Sequence, residues 1–165
     1  MKDNNLKTVE LFSDGACSGN PGKGGYGTIL KYGEIKKELC GGYRLTTNNR
    51  MEILGVLKGF EALKQPCNVV VTSDSKYVID ALSKGWVYGW KEKGWIKSDR
   101  KRALNVDLWE RLLKEIAIHN VTYNWIKGHA GHPENERCDY LAVDAYSKED
   151  LMIDTEYERE KDNVV

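Results

Sequence analysis

Two aspartates stand where apolar strands are expected to end. Asp14 follows the apolar segment 8–13 and precedes a turn rich in Gly, Pro and Asn, and Asp74 follows the continuous apolar segment 68–72. An aspartate that only starts a turn is the alternative for Asp14. Because the carboxyl ends of strands in open α/β sheets form the edge where ligands bind, two acids there favour a shared site.

Two further acids are candidates for the same edge. Glu52 follows Asn49 by three residues at the start of a predicted helix, where a glutamate also acts as a capping residue. Asp139 lies beside the apolar line of the last predicted helix, whereas Asp144 projects with polar neighbours. Asp139 is therefore the better candidate for an inward-facing acid.

Four clustered carboxylates indicate a divalent metal. Without a cation they would repel one another and raise each other's pKa. Oxygen ligands alone favour Mg²⁺, with Mn²⁺ as a possible substitute. Two such ions roughly 4 Å apart could hold the attacking and leaving oxygens of a phosphodiester.

His129 and His132, with Cys138 nearby, form a second candidate set. Two histidines in a glycine-rich loop with one thiol make a poor zinc site. A histidine beside the acids instead suits proton transfer to or from water or a leaving group, and His129 is the candidate for it.

The pattern of strands and helices predicts how these residues are positioned. Apolar periodicity and turn residues predict strands over 8–13, 26–32, 35–43, 68–72 and 121–126, and helices over about 46–64, 75–84, 105–119 and 133–146. We expect an α/β fold with a five-stranded mixed sheet, three antiparallel strands followed by parallel strands, flanked by helices.

Charge is distributed unevenly along a chain whose formal net charge is zero. Residues 1–148 carry 23 Lys and Arg against 18 Asp and Glu, while residues 149–165 carry 2 against 7. Residues 84–102 form a basic segment with interleaved tryptophans, expected to protrude from a single domain that spans 1–148. The acidic tail, 149–165, is expected to be loosely ordered, and it either folds back over this protrusion or is simply solvated.

Composition excludes several classes of protein. The four cysteines are far apart and have no C-x-x-C pair, which argues against a disulfide framework and favours free thiols in a reducing compartment. The amino-terminal residues have no apolar segment typical of a signal peptide, and no apolar run has the length of a membrane helix. We therefore expect a cytoplasmic, soluble protein with no membrane partner, and a monomer by default.

Five ordered motifs resemble the successive signatures of bacterial type 1 ribonuclease H. They are Asp14-Gly-Ala-Cys-x-Gly-Asn-Pro-Gly, Thr47-Asn-Asn-Arg-Met-Glu52, Thr72-Ser-Asp74-Ser-x-Tyr-Val, Asn105-Val-Asp-Leu-Trp109 and Trp125-Ile-Lys-Gly-His129-Ala-Gly-His-Pro-Glu-Asn-Glu-Arg-Cys-Asp139. The resemblance covers about residues 8–146. It implies a ribonuclease H-like fold and an endonuclease that hydrolyses the RNA strand of RNA–DNA hybrids by a two-metal mechanism, leaving 5′-phosphate and 3′-hydroxyl ends.

The resemblance also implies roles for individual residues. Asp14, Glu52, Asp74 and Asp139 would hold two Mg²⁺ ions, and His129 would assist proton movement or product release. Residues implied to line the RNA strand are Cys17, Asn20, Asn48, Asn49 and Lys76; Thr47 and Asn105 would hold a DNA phosphate. The basic protrusion, with Trp86, Trp90, Lys91, Lys93 and Trp95, would grip the DNA strand, although each tryptophan could equally belong to a small core beneath it.

Two positions depart from the family pattern. Lys76 stands where relatives often have glutamine, and Leu45 stands where several have an arginine that binds DNA phosphate, with Arg44 next to it. Two rival functions remain open: a hybrid-binding module without catalysis, and an integrase-like or resolvase-like DNA enzyme of the same fold.

Overall fold

A computed structural model of the chain describes residues 5–163. The strands are β1 (Thr8–Cys17), β2 (Gly22–Tyr32), β3 (Ile35–Thr46), β4 (Asn68–Ser73) and β5 (Asn120–Trp125). The helices are α1 (Asn48–Glu61), α2 (Lys76–Ser83), α3 (Trp86–Glu92), α4 (Val106–Ile116), α5 (Pro133–Tyr146) and α6 (Thr155–Asn163). The amino-terminal segment that lacks a signal-peptide pattern lies partly outside the described residues.

The strands form one mixed sheet in the order β3-β2-β1-β4-β5. The first three strands are antiparallel neighbours, and β4 runs parallel to both β1 and β5. This arrangement confirms the expected fold class. It also brings the carboxyl ends of β1 and β4 to the same edge of the sheet, because the two strands are parallel neighbours.

The first hairpin is longer than the sequence pattern indicated. Asp14 is paired with Gly27 inside the β1–β2 ladder, and β1 continues to Cys17, which pairs with Gly24. The segment after Asp14 therefore corrects the prediction that this acid ends a strand. The sequence pattern predicts a turn directly after Asp14, but residues 15–17 continue the strand. Gly15 lies there directly against the start of α1.

Glycines in β2 allow helices to approach both faces of the sheet. A side-chain carbon at Gly27 would collide with the Cys138 carbonyl oxygen of α5, and one at Gly24 would contact Met51 of α1. Because successive strand residues point to opposite faces, α1 and α5 lie on opposite sides of β2. The contact at Gly27 places α5, and with it Asp139, next to the strand pair that carries Asp14.

The sheet and its helices enclose a continuous apolar core. Buried residues of β1, β4, α1, α2 and α4 belong to one cluster, whose fully buried side chains include Leu11, Phe60, Val71 and Trp109. Among the residues described, no helix is both long and apolar enough to cross a membrane.

The acidic tail is ordered over its described part, which corrects the expectation of a loosely ordered segment. Met152 exchanges backbone hydrogen bonds with β3: its amide donates to Gly42 and its carbonyl accepts from Arg44, both at 2.9 Å. Arg44 also forms a two-pronged ion pair with Glu158 of α6, at 2.9 and 2.8 Å. The tail thus extends the β3 edge. Residues 164–165 lie outside the described part.

A buried arginine holds the tail to the domain. The Arg50 side chain is 2% exposed and donates paired hydrogen bonds to Asp154, at 2.7 and 3.0 Å, and to Asp107, at 2.9 and 2.7 Å. The Thr46 hydroxyl donates a further bond to Asp154 at 2.7 Å. The tail has no sustained apolar period, so a sequence pattern could not identify an attachment made by charge and backbone pairing.

His119 makes a partly buried polar contact next to the start of β4. Its Nδ1 accepts a hydrogen bond from the Cys67 amide at 3.0 Å, and its ring centroid lies 5.5 Å from that of Phe60. Burial lowers the pKa of His119. A neutral ring is therefore favoured in the folded state.

Replacement of Asp154 with alanine should destabilise the domain by about 3 kcal/mol, because it leaves a buried guanidinium with only one of its two carboxylates. Urea unfolding at neutral pH measures this loss. Asp150→Ala, an exposed acid four residues earlier, is the matched control and should change stability by no more than about 0.5 kcal/mol. Equal losses in the two variants would contradict the attachment described for Asp154.

Stability should fall as the pH decreases below about 6.5 because of His119. Above that pH the imidazole is neutral in both the folded and the unfolded chain, so its contribution is fully present. Below it, the unfolded chain binds a proton more readily than the folded chain. The free energy of unfolding then falls by at most ~1.4 kcal/mol per pH unit. Urea unfolding between pH 5 and 8 should give a flatter profile for His119→Asn than for the wild type.

The exposed His132 supplies the control for this pH dependence. His132→Asn removes a histidine without touching the Cys67 contact, so its pH profile should match that of the wild type. A His119→Asn profile as steep as the wild-type profile would refute the assignment.

Candidate active site

Three acids from three different elements meet at the carboxyl edge of the sheet. Asp14 comes from β1, Glu52 from α1, and Asp74 from the residue that follows β4. Each offers a carboxylate oxygen, and these oxygens lie within 4.8 Å of one another. The sequence-based grouping of these three acids thus corresponds to one cluster in space.

The start of α1 is packed tightly against β1. A side-chain carbon at Gly15 would lie 2.5 Å from the Glu52 amide nitrogen, so only glycine fits there. The Gly15 amide donates to Asp14 Oδ1 at 3.0 Å and to Glu52 Oε1 at 3.1 Å. Because Thr47 is the N-cap residue, Glu52 lies beyond the position of a capping glutamate, and the structure places it in the acid cluster.

Asp139 and His129 complete the walls of an open cleft of about 410 Å³. The same cleft is lined by the three clustered acids, by Asn48 and by the backbone at Gly128. His129 is exposed and has a left-handed backbone with φ 54°. The fourth predicted acid therefore lines the same cleft as the other three, together with an exposed histidine.

The acids raise one another's affinity for protons. Burial, followed by the charges of Glu52, Asp74 and Asp139, raises the pKa of Asp14 well above its ordinary value. The pKa of Glu52 is also raised, by burial first and then by the Asp74 charge. In the absence of a cation, the site therefore favours retention of protons over the full set of negative charges.

The donor set fits a hard divalent cation. Every candidate ligand is a carboxylate oxygen, and Glu52 Oε2 is buried without a hydrogen-bond partner among the described residues. The alternative zinc set does not fit, because Cys138 is fully buried and packs against Ile29 and Leu141. Oxygen-only ligation is typical of Mg²⁺ and Mn²⁺ sites.

The residues implied for the RNA strand surround the same edge. The Cys17 thiol is directed inward, with Sγ 3.5 Å from the Thr46 carbonyl oxygen and 3.6 Å from that of Gly22. Asn20 Oδ1 accepts a hydrogen bond from the Asn48 amide at 3.2 Å. Asn49 is exposed. The turn after β1 and the start of α1 therefore form one continuous polar wall.

Thr47 and Asn105, the two residues implied for a DNA phosphate, are linked through Arg50. The Thr47 hydroxyl caps α1 by accepting from the Arg50 amide, and Asn105 Oδ1 lies 3.4 Å from Arg50 Nη1. Arg44 and its neighbour Leu45 have different surroundings on β3. The two side chains point to opposite faces of β3, and Arg44 pairs with Glu158.

Lys76 lies beside the acid cluster without an ion-pair partner recorded among the described residues. Its ammonium is 4.8 Å from the centroid of the Trp125 ring. The Trp125 indole in turn donates to the Asp74 carbonyl at 2.9 Å. The departure from glutamine therefore places a positive charge next to the cleft.

The basic segment 84–102 consists of α3 and a loop, and its tryptophans differ in exposure. Trp86 is 47% exposed beneath Lys84, whereas Trp90 is half-buried against the main core. Trp95 is 8% exposed and donates from Nε1 to Glu110 at 3.0 Å. Trp95 is thus packed as the core alternative expects, and its assignment as a substrate contact stays a prediction. Lys91 and Lys93 are exposed.

Two contributors to the site were not anticipated from the sequence. Arg50 joins the tail, α4 and the residues Thr47 and Asn105, and the Gly15 amide binds two of the acids. A charged residue between the helix-starting Asn49 and the apolar Met51 was the available signal for Arg50. The role of the Gly15 amide depends on backbone geometry, which side-chain patterns do not record.

Comparison with known proteins agrees with this geometry. A sequence model of the RNase H family matches residues 6–147. A ribonuclease H of Desulforamulus reducens is 54% identical over 153 residues, which cover 93% of this chain and 96% of that protein. A ribonuclease H of Syntrophus aciditrophicus is 56% identical over 151 residues, covering 92% and 87% of the two chains.

Solved structures share the fold. The crystal structure of LC9-RNase H1, described as a type 1 RNase H with the type 2 active-site motif, has a TM-score of 0.80 at 29% identity, covering 99% of this chain and 84% of that chain. LC11-RNase H1 in complex with RNA/DNA hybrid has a TM-score of 0.64 at 19% identity, covering 84% and 96%, and supports the fold alone. The acid cluster, the family match and these relatives together establish that the chain belongs to the ribonuclease H family of enzymes.

Proposed function

We propose that this enzyme hydrolyses the RNA strand of RNA–DNA hybrids and leaves 5′-phosphate and 3′-hydroxyl ends. The observation that carries the proposal is the convergence of Asp14, Glu52 and Asp74 at one edge of the sheet, in a cleft that Asp139 also lines. Membership of the ribonuclease H family supports the choice of substrate.

The four acids would hold Mg²⁺, two ions per site, with Mn²⁺ as a substitute. When bound, such ions polarise the phosphate, activate water and neutralise the charge that develops on the leaving oxygen. The carboxylates themselves supply a negative, oxygen-rich pocket, and the Gly15 amide fixes the orientation of Asp14 and Glu52. Removal of one acid should therefore reduce the rate of cleavage strongly and the affinity for hybrid only slightly.

His129 is proposed to move a proton at the rim of the cleft. Its exposure and its place beside Asp74 and Asp139 allow the imidazole to exchange protons with water or with a leaving oxygen. Because it comes from a loop, its role is compatible with assistance to product release as well. Its loss should reduce the rate without abolishing it.

Discrimination between RNA and DNA is assigned to the polar wall of Cys17, Asn20, Asn48 and Asn49. Only the 2′-hydroxyl distinguishes the two sugars locally, and amide side chains can donate to it and accept from it. Lys76 adds a positive charge on this side. We place this polar wall against the RNA strand because the wall borders the acids that are proposed to hold the catalytic metal ions.

The DNA strand is assigned to Thr47, Asn105 and the basic protrusion. The exposed Lys91, Lys93 and Trp86, with the half-buried Trp90, offer phosphate and sugar contacts. Lysines bind phosphates without regard to sequence and lose affinity as salt increases.

We further propose that the enzyme acts as a monomer in the cytoplasm.

Asp14→Asn should reduce Mg²⁺-dependent hybrid cleavage at least ~100-fold, because it removes a central charge from a preorganised site. Hybrid affinity should be retained. Initial rates on labelled hybrid measure the first effect, and equilibrium binding in the presence of chelator measures the second.

Asp144→Asn provides the matched control, since Asp144 is an α5 aspartate that pairs with Lys148 at 3.7 Å. It should cleave at the wild-type rate. Wild-type cleavage by Asp14→Asn would refute the metal assignment. Hybrid binding by the wild type without cleavage would favour the non-catalytic binding module.

Cleavage assays on labelled hybrid, duplex RNA and duplex DNA, each with and without Mg²⁺, distinguish the proposed function from the remaining rival function. Cleavage of the hybrid alone supports the proposal. Cleavage of duplex DNA as readily as hybrid would indicate a DNA enzyme of the integrase or resolvase type.

A further inference from the structure

Trp125 is exposed, yet two contacts fix its indole. It is 42% exposed at the end of β5, its Nε1 donates to the Asp74 carbonyl at 2.9 Å, and the Lys76 ammonium lies 4.8 Å from its ring centroid. The position of this contact suggests what it does.

The indole contact begins where the sheet ends. The parallel ladder between β4 and β5 finishes with Ser73 paired to Trp125, and the last backbone bond runs from the Ile126 amide to the Ser73 carbonyl at 3.0 Å. The next carbonyl along the chain, just beyond β4, belongs to Asp74, and the Trp125 indole N–H donates to it. The side chain therefore extends the connection between the two strands by one residue, to the acid itself.

The loop that follows Trp125 passes directly against Asp74. A side-chain carbon at Gly128 would lie 2.5 Å from Asp74 Oδ2, and His129 is the next residue. His129 and Gly131 both have positive φ, at 54° and 85°. The distance between Asp74 and His129 thus depends on how firmly the start of this loop is held to the end of β4.

We propose that Trp125 is a positioning residue for the reaction: its indole N–H binds the Asp74 carbonyl and holds the His129 loop in register with the acid cluster. This inference rests on the proposed function. It assigns Trp125 no contact with substrate. Its effect is carried by the placement of Asp74 and His129 relative to each other.

Trp125→Phe tests the inference, because phenylalanine keeps an aromatic ring under Lys76 and removes the N–H donor. The variant should reduce kcat on the order of tenfold with an unchanged KM for hybrid, since misplacement of a catalytic group affects the rate of the chemical step. In a His129→Ala background the same substitution should reduce kcat little further, because the imidazole that Trp125 positions is absent. An unchanged kcat, or equal losses in both backgrounds, would overturn the inference.

A measurement independent of activity uses amide hydrogen exchange in the protein without substrate. Trp125→Phe should accelerate exchange at residues 126–130, whereas an unchanged exchange rate there would count against the proposal. Tyr32→Leu is the matched control: Tyr32 is also 42% exposed, beneath the Lys7 ammonium at 5.2 Å, and lies at the end of β2. It should leave kcat and loop exchange unchanged. Failure of the wild type to cleave hybrid would instead refute the proposed function.

Discussion

The crowding of negative charge at the carboxyl edge of the sheet is the constraint on which the rest of the structure depends. Two carboxylates about 4 Å apart repel by ~4 kcal/mol at an effective dielectric constant of ~20, whereas one hydrogen bond contributes ~1 kcal/mol. The Gly15 amide, which binds Asp14 and Glu52, therefore cannot offset the repulsion alone. A proton or a divalent cation must do so. Burial first, and then this repulsion, raise the pKa of both acids.

The scaffold holds these acids together by contacts made elsewhere. Backbone proximity at Gly15 fixes α1 against β1, and proximity at Gly27 fixes α5 against β2, so Glu52 and Asp139 have little freedom to separate from Asp14. On α1, only two residues from Glu52, the buried Arg50 joins α4 and the tail through two carboxylates. Opposite charges are thus neutralised in the interior at Arg50, while like charges remain at the cleft, where a cation can reach them.

The sequence was informative wherever side-chain patterns decide the outcome. Alternating and continuous apolar segments predict the strands of the mixed sheet, and the ordered motifs predict the four acids of the site. It was less informative where backbone contacts decide: Asp14 lies inside a strand because glycines opposite it admit a helix, and the tail is ordered through Met152, Asp154 and Glu158 without an apolar period. Trp95 was also ambiguous, because the same residue type serves both a packed core and an aromatic surface.

The most direct measurement of the central claim is a carbon-13 NMR titration of the carboxyl groups in metal-free protein, repeated with Mg²⁺. The account requires Asp14 and Glu52 to retain protons above the ordinary range for carboxylic acids, and Mg²⁺ to displace those protons and lower both pKa values. Titration of both acids in the ordinary range, with no change on addition of Mg²⁺, would contradict the claim that a crowded, cation-dependent acid cluster underlies this active site.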